Sequence, residues 1–231
     1  MNHSDWITAT GHVVRPEARA LVERGLITGA IRLDPTSNIK LKSGRLSPYF
    51  FNTGGFATGE DLRILAEAYT SAIRDPLMPL SNAVYGPPYK GIPLATMVAI
   101  TMGGDYLACS SRKETKDHGD SGMGLLGSPK GRHTVLIDDV ISSGGSAAEG
   151  IEYIEVEGGT PVGAVIAFDR QERAKKGQLS AVQDFWERFC LTIVAAATLD
   201  DLIVVLRDHG DKGDVLEAIY GYRSVYGVPH K

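Results

Sequence analysis

Cysteine is scarce in this chain, with two in 231 residues, Cys109 and Cys190. That count leaves a disulfide or a nucleophilic thiol only a minority reading, and without a C-x-x-C pair or an H-E-x-x-H sequence zinc chemistry has no support. Both cysteines fall in apolar, strand-like stretches, so both are expected to be reduced, buried, structural thiols of a cytoplasmic protein. No G-x-x-x-x-G-K-[ST] loop occurs, which leaves P-loop nucleotide chemistry without support as well. Long hydrophobic runs are missing; the longest is far too short to span a bilayer. The polar opening, Met1 to Trp6, predicts no secretory leader. Basic charge is also in short supply. With 24 Lys and Arg against 28 Asp and Glu, the formal net charge is −4. That balance argues against a general nucleic-acid or membrane binder, so any basic site is local.

What is present is concentrated in Thr134–Ser146. Val135, Leu136 and Ile137 show no polar alternation, which suits a parallel strand covered on both faces. The run ends in two adjacent carboxylates, Asp138 and Asp139. Ser142, Ser143, Gly144, Gly145 and Ser146 follow, just before an amphipathic helical pattern. Glycines let backbone N–H groups approach an anion, and a helix N-terminus adds unpaired donors and a favourable dipole. A phosphate monoester fits there. The two aspartates would repel it, and suit instead neighbouring hydroxyls such as a ribose diol, or a metal shell. An ordinary turn with a serine cap explains the serines and glycines. It does not explain two carboxylates at the end of a buried strand, where uncompensated charge is costly.

Around this segment the chain alternates strand and helix. Helices are expected over 16–25 and 59–74, the second with Leu62, Leu65, Ala66, Tyr69 and Ile73 on one side. Strands are expected at 83–85, 106–110, 134–138, 162–168 and 191–196. Helices are expected from Gly91 and Gly145, near 181–189, and in the tail near 199–207 and 214–222. Such βα alternation predicts an α/β fold with a mostly parallel sheet, helices on both faces, and ligands at the carboxyl ends of the strands. Residues 111–132 make an unusually long polar connection. Arg112, Lys113, Lys116 and His118 place four potential cations in it, which suits a mobile lid over an anionic substrate. A solvated charge run is the plain alternative. Gly122 to Gly127 match G-x-G-x-x-G literally, but the match neither follows a strand nor opens a helix, so a dinucleotide site is not expected.

Further candidates fit an anionic substrate. Lys90, in the Gly- and Pro-rich turn Gly86–Pro93, sits where backbone amides also face a diphosphate. Lys42 adds another cation. Tyr49, Phe50 and Phe51 are aromatic, for core packing or for stacking on a planar ring. Arg170, at the end of a strand, suits a substrate carboxylate, or a salt bridge to a nearby acid.

These segments together resemble the orotate phosphoribosyltransferases of the bacterial dimeric type. Val135–Ser146 resembles the phosphoribosyl-pyrophosphate (PRPP) motif of type I phosphoribosyltransferases in general. Leu41–Asn52, Gly86–Pro93, Arg112–Gly119 and Asp169–Glu172 resemble the orotate enzyme. The resemblance runs from about residue 20 to the C-terminus. It implies a single type I phosphoribosyltransferase domain over 1–231, a mostly parallel twisted sheet flanked by helices. It also implies a small N-terminal hood contributed by 19–55, an extension at 1–18, and a mobile catalytic loop at 111–130. It implies Mg²⁺-dependent transfer of the phosphoribosyl group from PRPP to orotate, for pyrimidine nucleotide synthesis, in a cytoplasmic enzyme. Lys42, Tyr89 and Lys90 would contact PRPP largely around its pyrophosphate. Asp138 and Asp139 would hold the ribose hydroxyls, with Mg²⁺ carried by the substrate near them. Val140, Ile141 and Ser142 to Ser146 would bind the 5-phosphate. Phe50, Phe51, Ser142 and Arg170 would contact orotate. Arg112, Lys113, Lys116 and His118 would come from the loop, which in this family reaches the partner's site; a homodimer with shared active sites follows, with no nucleic-acid or membrane partner. Two rival functions stand beside this one: transfer to a purine or related base, and PRPP sensing without turnover.

Overall fold

A proline that has no N–H to lose opens the first helix, α1 (Pro16–Thr28), and Gly29 closes it in the left-handed region at φ 75°. The computed structural model describes residues 12–112, 125–141, 145–174, 179–210 and 213–228. After α1 come four short strands, β1 (Ile31–Leu33), β2 (Ile39–Lys40), β3 (Leu46–Ser47) and β4 (Tyr49–Phe51). They pair antiparallel as β1 with β4 and β2 with β3. A reciprocal capping box between Thr58 and Asp61 then starts α2 (Gly59–Ile73).

The main sheet follows. Its strands are β5 (Ala83–Tyr85), β6 (Leu107–Cys109), β7 (His133–Asp138), β8 (Thr160–Asp169) and β9 (Thr192–Thr198), in the order β6-β5-β7-β8-β9. Every pair is parallel. The connecting helices are α3 (Gly91–Met102), α4 (Gly145–Val156) and α5 (Ala181–Phe189). Two more end the described chain, α6 (Leu199–His209) and α7 (Gly213–Tyr226). The expected α/β alternation is observed, with ends shifted by a few residues.

Strand alternation divides the interior into two layers. Val84, Val135, Ile137, Val165 and Ala167 pack with residues of α1, α2, α3, α6 and α7. Tyr85, Leu136 and Ala164 face the other way, against Ala147, Ile151 and Ile154 of α4 and Phe185 of α5. With both faces covered, the central strand β7 buries all but its first residue, which is why its sequence reads as a continuous apolar run. On the second face α4 lies close to the sheet. A Cβ on Gly150 would stand 2.5 Å from Leu136 Cδ1 and 3.0 Å from an edge carbon of Tyr85.

The strand order locates the crevice. From β5 the chain steps out to β6 at one edge, then crosses back to β7 on the other side of β5. This reversal is a topological switch point, where the loops leaving two adjacent strands diverge and open a cleft. The loops at this one are Gly86–Lys90 after β5 and the segment after Asp138 on β7.

One expectation fails. Cys109 is buried in β6, but Cys190 is exposed. It is the C-cap of α5, at φ 55° and ψ 29°, with its N–H donating to the Trp186 carbonyl. Its apolar neighbours suggested a strand start, but β9 begins only at Thr192. A left-handed position at a helix end is normally glycine's, so nothing in the residue type marked it.

Candidate active site

Asp138 ends β7 with its side chain buried, 7% exposed. Its Oδ1 accepts the Asp139 N–H at 2.8 Å, and its Oδ2 accepts the Ser146 hydroxyl at 3.1 Å. From α2, the buried Tyr69 hydroxyl donates to the Asp138 carbonyl at 2.8 Å and pins the strand end from below. Burial, with the adjacent Asp139 charge adding to it, pushes the Asp138 carboxyl up to about 6. Asp139 turns the other way: its Oδ1 accepts the Val140 N–H at 2.8 Å, and its Oδ2 accepts Lys90 Nζ at 2.6 Å. Val140 and Ile141 are half-buried, packed against opposite layers of the core.

Lys90 reaches Asp139 because its loop is folded tightly. The Gly91 N–H donates to the Pro87 carbonyl at 3.0 Å. A Cβ on Gly86 would stand 2.0 Å from the Gly91 carbonyl oxygen, so only glycine permits this closure. The Pro88–Tyr89 peptide is cis, and the Tyr89 side chain is exposed. Lys90 Nζ also lies 3.4 Å from Asn52 Oδ1, which ties the crevice to the residue just past β4.

The segment Ser47–Asn52 spans the opening. At its far end Arg170, just after β8, places Nη2 2.9 Å from the Ser47 hydroxyl and Nη1 3.4 Å from the Tyr49 carbonyl. The guanidinium carbon lies 4.1 Å from the centre of the Tyr49 ring. Arg170 also pairs with Glu172, Nη2 to Oε1 at 2.6 Å, so the salt bridge weighed as the plain alternative is present. Within β4 the pleat separates the aromatics. Tyr49 and Phe51 turn inward, and Phe51 stacks on Phe168 at 5.0 Å between centroids. Phe50 faces the other side, half-buried, with the Arg32 guanidinium 5.1 Å from its ring centre.

Lys42 is exposed in the turn joining β2 to β3, and Arg112 is exposed after β6. Gly145 opens α4, with no atom of the described residues within 4 Å of the place of a Cβ, and Ser146 after it donates its hydroxyl to Asp138. Lys113, Lys116, His118, Ser142, Ser143 and Gly144 lie outside the described residues. The structure thus brings together Lys90, Asp138, Asp139 and Ser146, with Arg170 across the opening. Sequence reasoning missed Asn52, Tyr69, Arg45, Glu172 and Tyr222 as residues of this region. Asn52, Arg45 and Glu172 lay inside segments singled out for other residues; Tyr69 and Tyr222 carried no signal beyond helical periodicity.

Among the described residues no three acidic, histidine or cysteine side chains gather into a metal cage. Two adjacent carboxylates fit a magnesium ion that keeps waters and is held mainly by substrate oxygens. Chemically, the arrangement joins hydroxyl acceptors, a cation and the start of a helix at one cleft. An aromatic-lined cation closes its other side.

A model of the phosphoribosyl transferase domain family matches residues 63–197. The orotate phosphoribosyltransferase of Cronobacter sakazakii is 39% identical over 219 residues, covering 93% of this chain and all of that protein. That of Halorhodospira halophila is 47% identical over 193 residues, 81% of this chain and 88% of the relative. Among solved structures, the Francisella tularensis orotate phosphoribosyltransferase superposes with a TM-score of 0.77 at 28% identity, covering 89% of this chain and 98% of that one. A Mycobacterium tuberculosis orotate phosphoribosyltransferase, solved with PRPP, shares the fold with a TM-score of 0.60 at 19% identity, covering 81% and 99%.

Proposed function

Because this chain belongs to the orotate phosphoribosyltransferases, with their type I phosphoribosyltransferase fold, we propose that it transfers the phosphoribosyl group of PRPP to orotate. The products are orotidine 5′-phosphate and pyrophosphate, on the route to UMP. The observation that carries this reading is the meeting of Lys90 with Asp139 at the switch point, beside Asp138 and the start of α4. One cleft then has acceptors for ribose hydroxyls, N–H donors for a 5-phosphate and a cation for pyrophosphate.

In this reading C1 of the ribose loses pyrophosphate and gains the pyrimidine nitrogen through an oxocarbenium-like state. No covalent nucleophile is required. Asp138 and Asp139 orient the ribose through its hydroxyls, and Ser142 to Ser146, with Val140 and Ile141, seat the 5-phosphate at the start of α4. Lys42, Tyr89 and Lys90 take the pyrophosphate, whose departing charge is the main electrostatic demand of the step. Phe50, Ser142 and Arg170 hold orotate, the arginine against its carboxylate, while Phe51, turned inward onto Phe168, supports this segment from the core. Arg112, Lys113, Lys116 and His118 close over the leaving group from the partner subunit of a homodimer, excluding water. Mg²⁺, carried in by the substrate near Asp138 and Asp139, supplies charge neutralisation on the pyrophosphate when bound. The enzyme works in the cytoplasm.

Loss of orotate absorbance with PRPP and Mg²⁺ tests the assignment. Turnover of a purine base with orotate inert overturns it, as does PRPP binding without turnover of any base. Omission of Mg²⁺ should abolish turnover, and mass in solution should correspond to two chains.

A further inference from the structure

Glu172 lies two residues past Arg170, in the segment that follows β8, and its carboxylate is only 11% exposed. Among the described residues, four side chains converge on it. Oε1 accepts Arg170 Nε at 2.7 Å and the Tyr49 hydroxyl at 3.3 Å. Oε2 accepts the Tyr222 hydroxyl at 3.0 Å and Arg45 Nη1 at 3.2 Å. Arg45 comes from the turn between β2 and β3, Tyr49 from β4 and Tyr222 from α7. The backbone adds a bridge between Glu172 and Gly227, just past α7. One carboxylate therefore joins the segment over the opening, the end of β8 and the C-terminal helix.

Its effect on Arg170 is geometric. Nε and Nη2 are both taken by Oε1, which fixes the guanidinium plane against the Tyr49 ring. Two guanidinia face this one carboxylate, with the Arg45 and Arg170 side chains 16% and 20% exposed. A partly desolvated guanidinium held in one orientation is suited to pair with a carboxylate in a fixed geometry. Two further carboxylates stand nearby: Asp169, close enough to Glu172 for their charges to interact and accepting the Gln171 N–H at 2.8 Å, and Asp200, held by Arg223 and Gln171, each at 2.7 Å.

We propose that Glu172 is a positioning residue for base recognition: it orients Arg170 and retains Arg45, so that a guanidinium held in one orientation meets the carboxylate of the pyrimidine. This rests on the orotate reading above. It adds that selection for an acidic base depends on a side chain that need not touch the substrate, and on α7 through Tyr222.

The test uses the whole protein with Glu172→Gln, whose amide keeps the shape but can accept through one oxygen only, so that Arg170 and Arg45 are no longer both held. KM for orotate should rise about tenfold or more, a difference of about 1.4 kcal/mol, while KM for PRPP stays within about twofold. Inhibition by uracil, which lacks the carboxylate, should be unchanged. A merely structural role would move both substrates or kcat alone, and either result overturns the proposal. So does an unchanged orotate KM. Tyr222→Phe removes only a hydroxyl and serves if the first variant does not fold. It should raise orotate KM by roughly two- to fourfold, one neutral hydrogen bond's worth, and no change overturns the proposal. Arg170→Lys separates the two readings. If it raises orotate KM while Glu172→Gln does not, only the positioning role falls. If the unaltered protein leaves orotate untouched, both readings fall.

Discussion

Lys90 Nζ stands 2.6 Å from Asp139 Oδ2, across a sequence separation of 49 residues. The two belong to loops leaving adjacent strands, and the contact bridges the crevice where a substrate would lie. With the Val140 N–H on Oδ1, both oxygens of Asp139 are engaged before any substrate arrives. The Lys90 side chain is 59% exposed, so the pair itself contributes roughly 1 kcal/mol or less to stability. Lys90→Met should therefore melt within about 2–4 °C of the parent protein. Its kcat/KM for PRPP should fall about 10²-fold, the scale of one lost charge-stabilising donor. Steady-state kinetics beside a melting curve checks both; a large loss of stability with little loss of activity would contradict the assignment.

The Asp138 carboxyl gives a pH dependence with a definite sign. Its value in the fold is raised by burial from 3.8 to about 6. Between those values the folded chain binds more protons than the unfolded one, so stability falls as pH rises. The contribution is complete below 3.8 and is lost as pH passes through about 6. Asp138→Asn removes it. The variant should match the parent in stability near pH 4 and exceed it at pH 8, as read by denaturant titration at each pH. Activity should run the opposite way, since accepting ribose hydroxyls needs the carboxylate. A parent whose stability margin grows from pH 4 to pH 8 would refute the assignment.

Adjacent aromatics should behave differently. Phe51→Ala removes a ring that is 7% exposed and stacked on Phe168, a change that costs about 3–5 kcal/mol. Phe50→Ala removes a half-buried ring and should cost clearly less. Its main effect should be a raised KM for orotate at unchanged KM for PRPP. Equal stability losses in the two variants would contradict the alternation along β4.

Lys116→Ala tests the loop cations. kcat should fall by roughly 10²-fold or more, again the scale of one lost donor to a developing anion. The melting temperature is the control for folding. An unchanged kcat in the folded variant would remove Lys116 from the chemistry.

The two thiols should differ in reactivity. Cys109 is buried, and burial pushes it up to about 12, while Cys190 is exposed. Since the thiolate is the reactive form, an aromatic disulfide reagent should titrate one thiol in the native protein and a second only after denaturation. A Cys190→Ser variant with one fast native thiol would contradict this.

Much of the fold was legible because its signals are local. The apolar run of β7 announces burial on both faces, and Pro16, Thr58, Ser180 and Thr198 stand where helices start. Asp138 and Asp139 were legible because two charges at the end of such a run demand a reason. The partnerships were not. Lys90 meets Asp139, and Glu172 meets Arg45 and Tyr222, only once strand order and helix packing are set, and no period in the sequence encodes that. Even within β4, three consecutive aromatics gave no hint of which one faces away until the register with β1 fixed the pleat. Cys190 misled for a related reason, since a left-handed helix end is a backbone property that its side chain does not advertise.

The segment Ser47–Asn52 touches Arg170 at one end and Lys90 at the other. It therefore works as a ruler, its residue count fixing how far apart those two cations are held. An extended chain advances at most about 3.3–3.6 Å per residue, so one inserted residue would displace one anchor from its partner by about that much. Because side chains alternate, the same insertion would also exchange the faces of the aromatic rings beyond it. Substitutions within the segment alter one contact at a time. A change in its length alters the spacing and the orientation together, so its tolerance to insertion should be far lower than that of an ordinary surface loop.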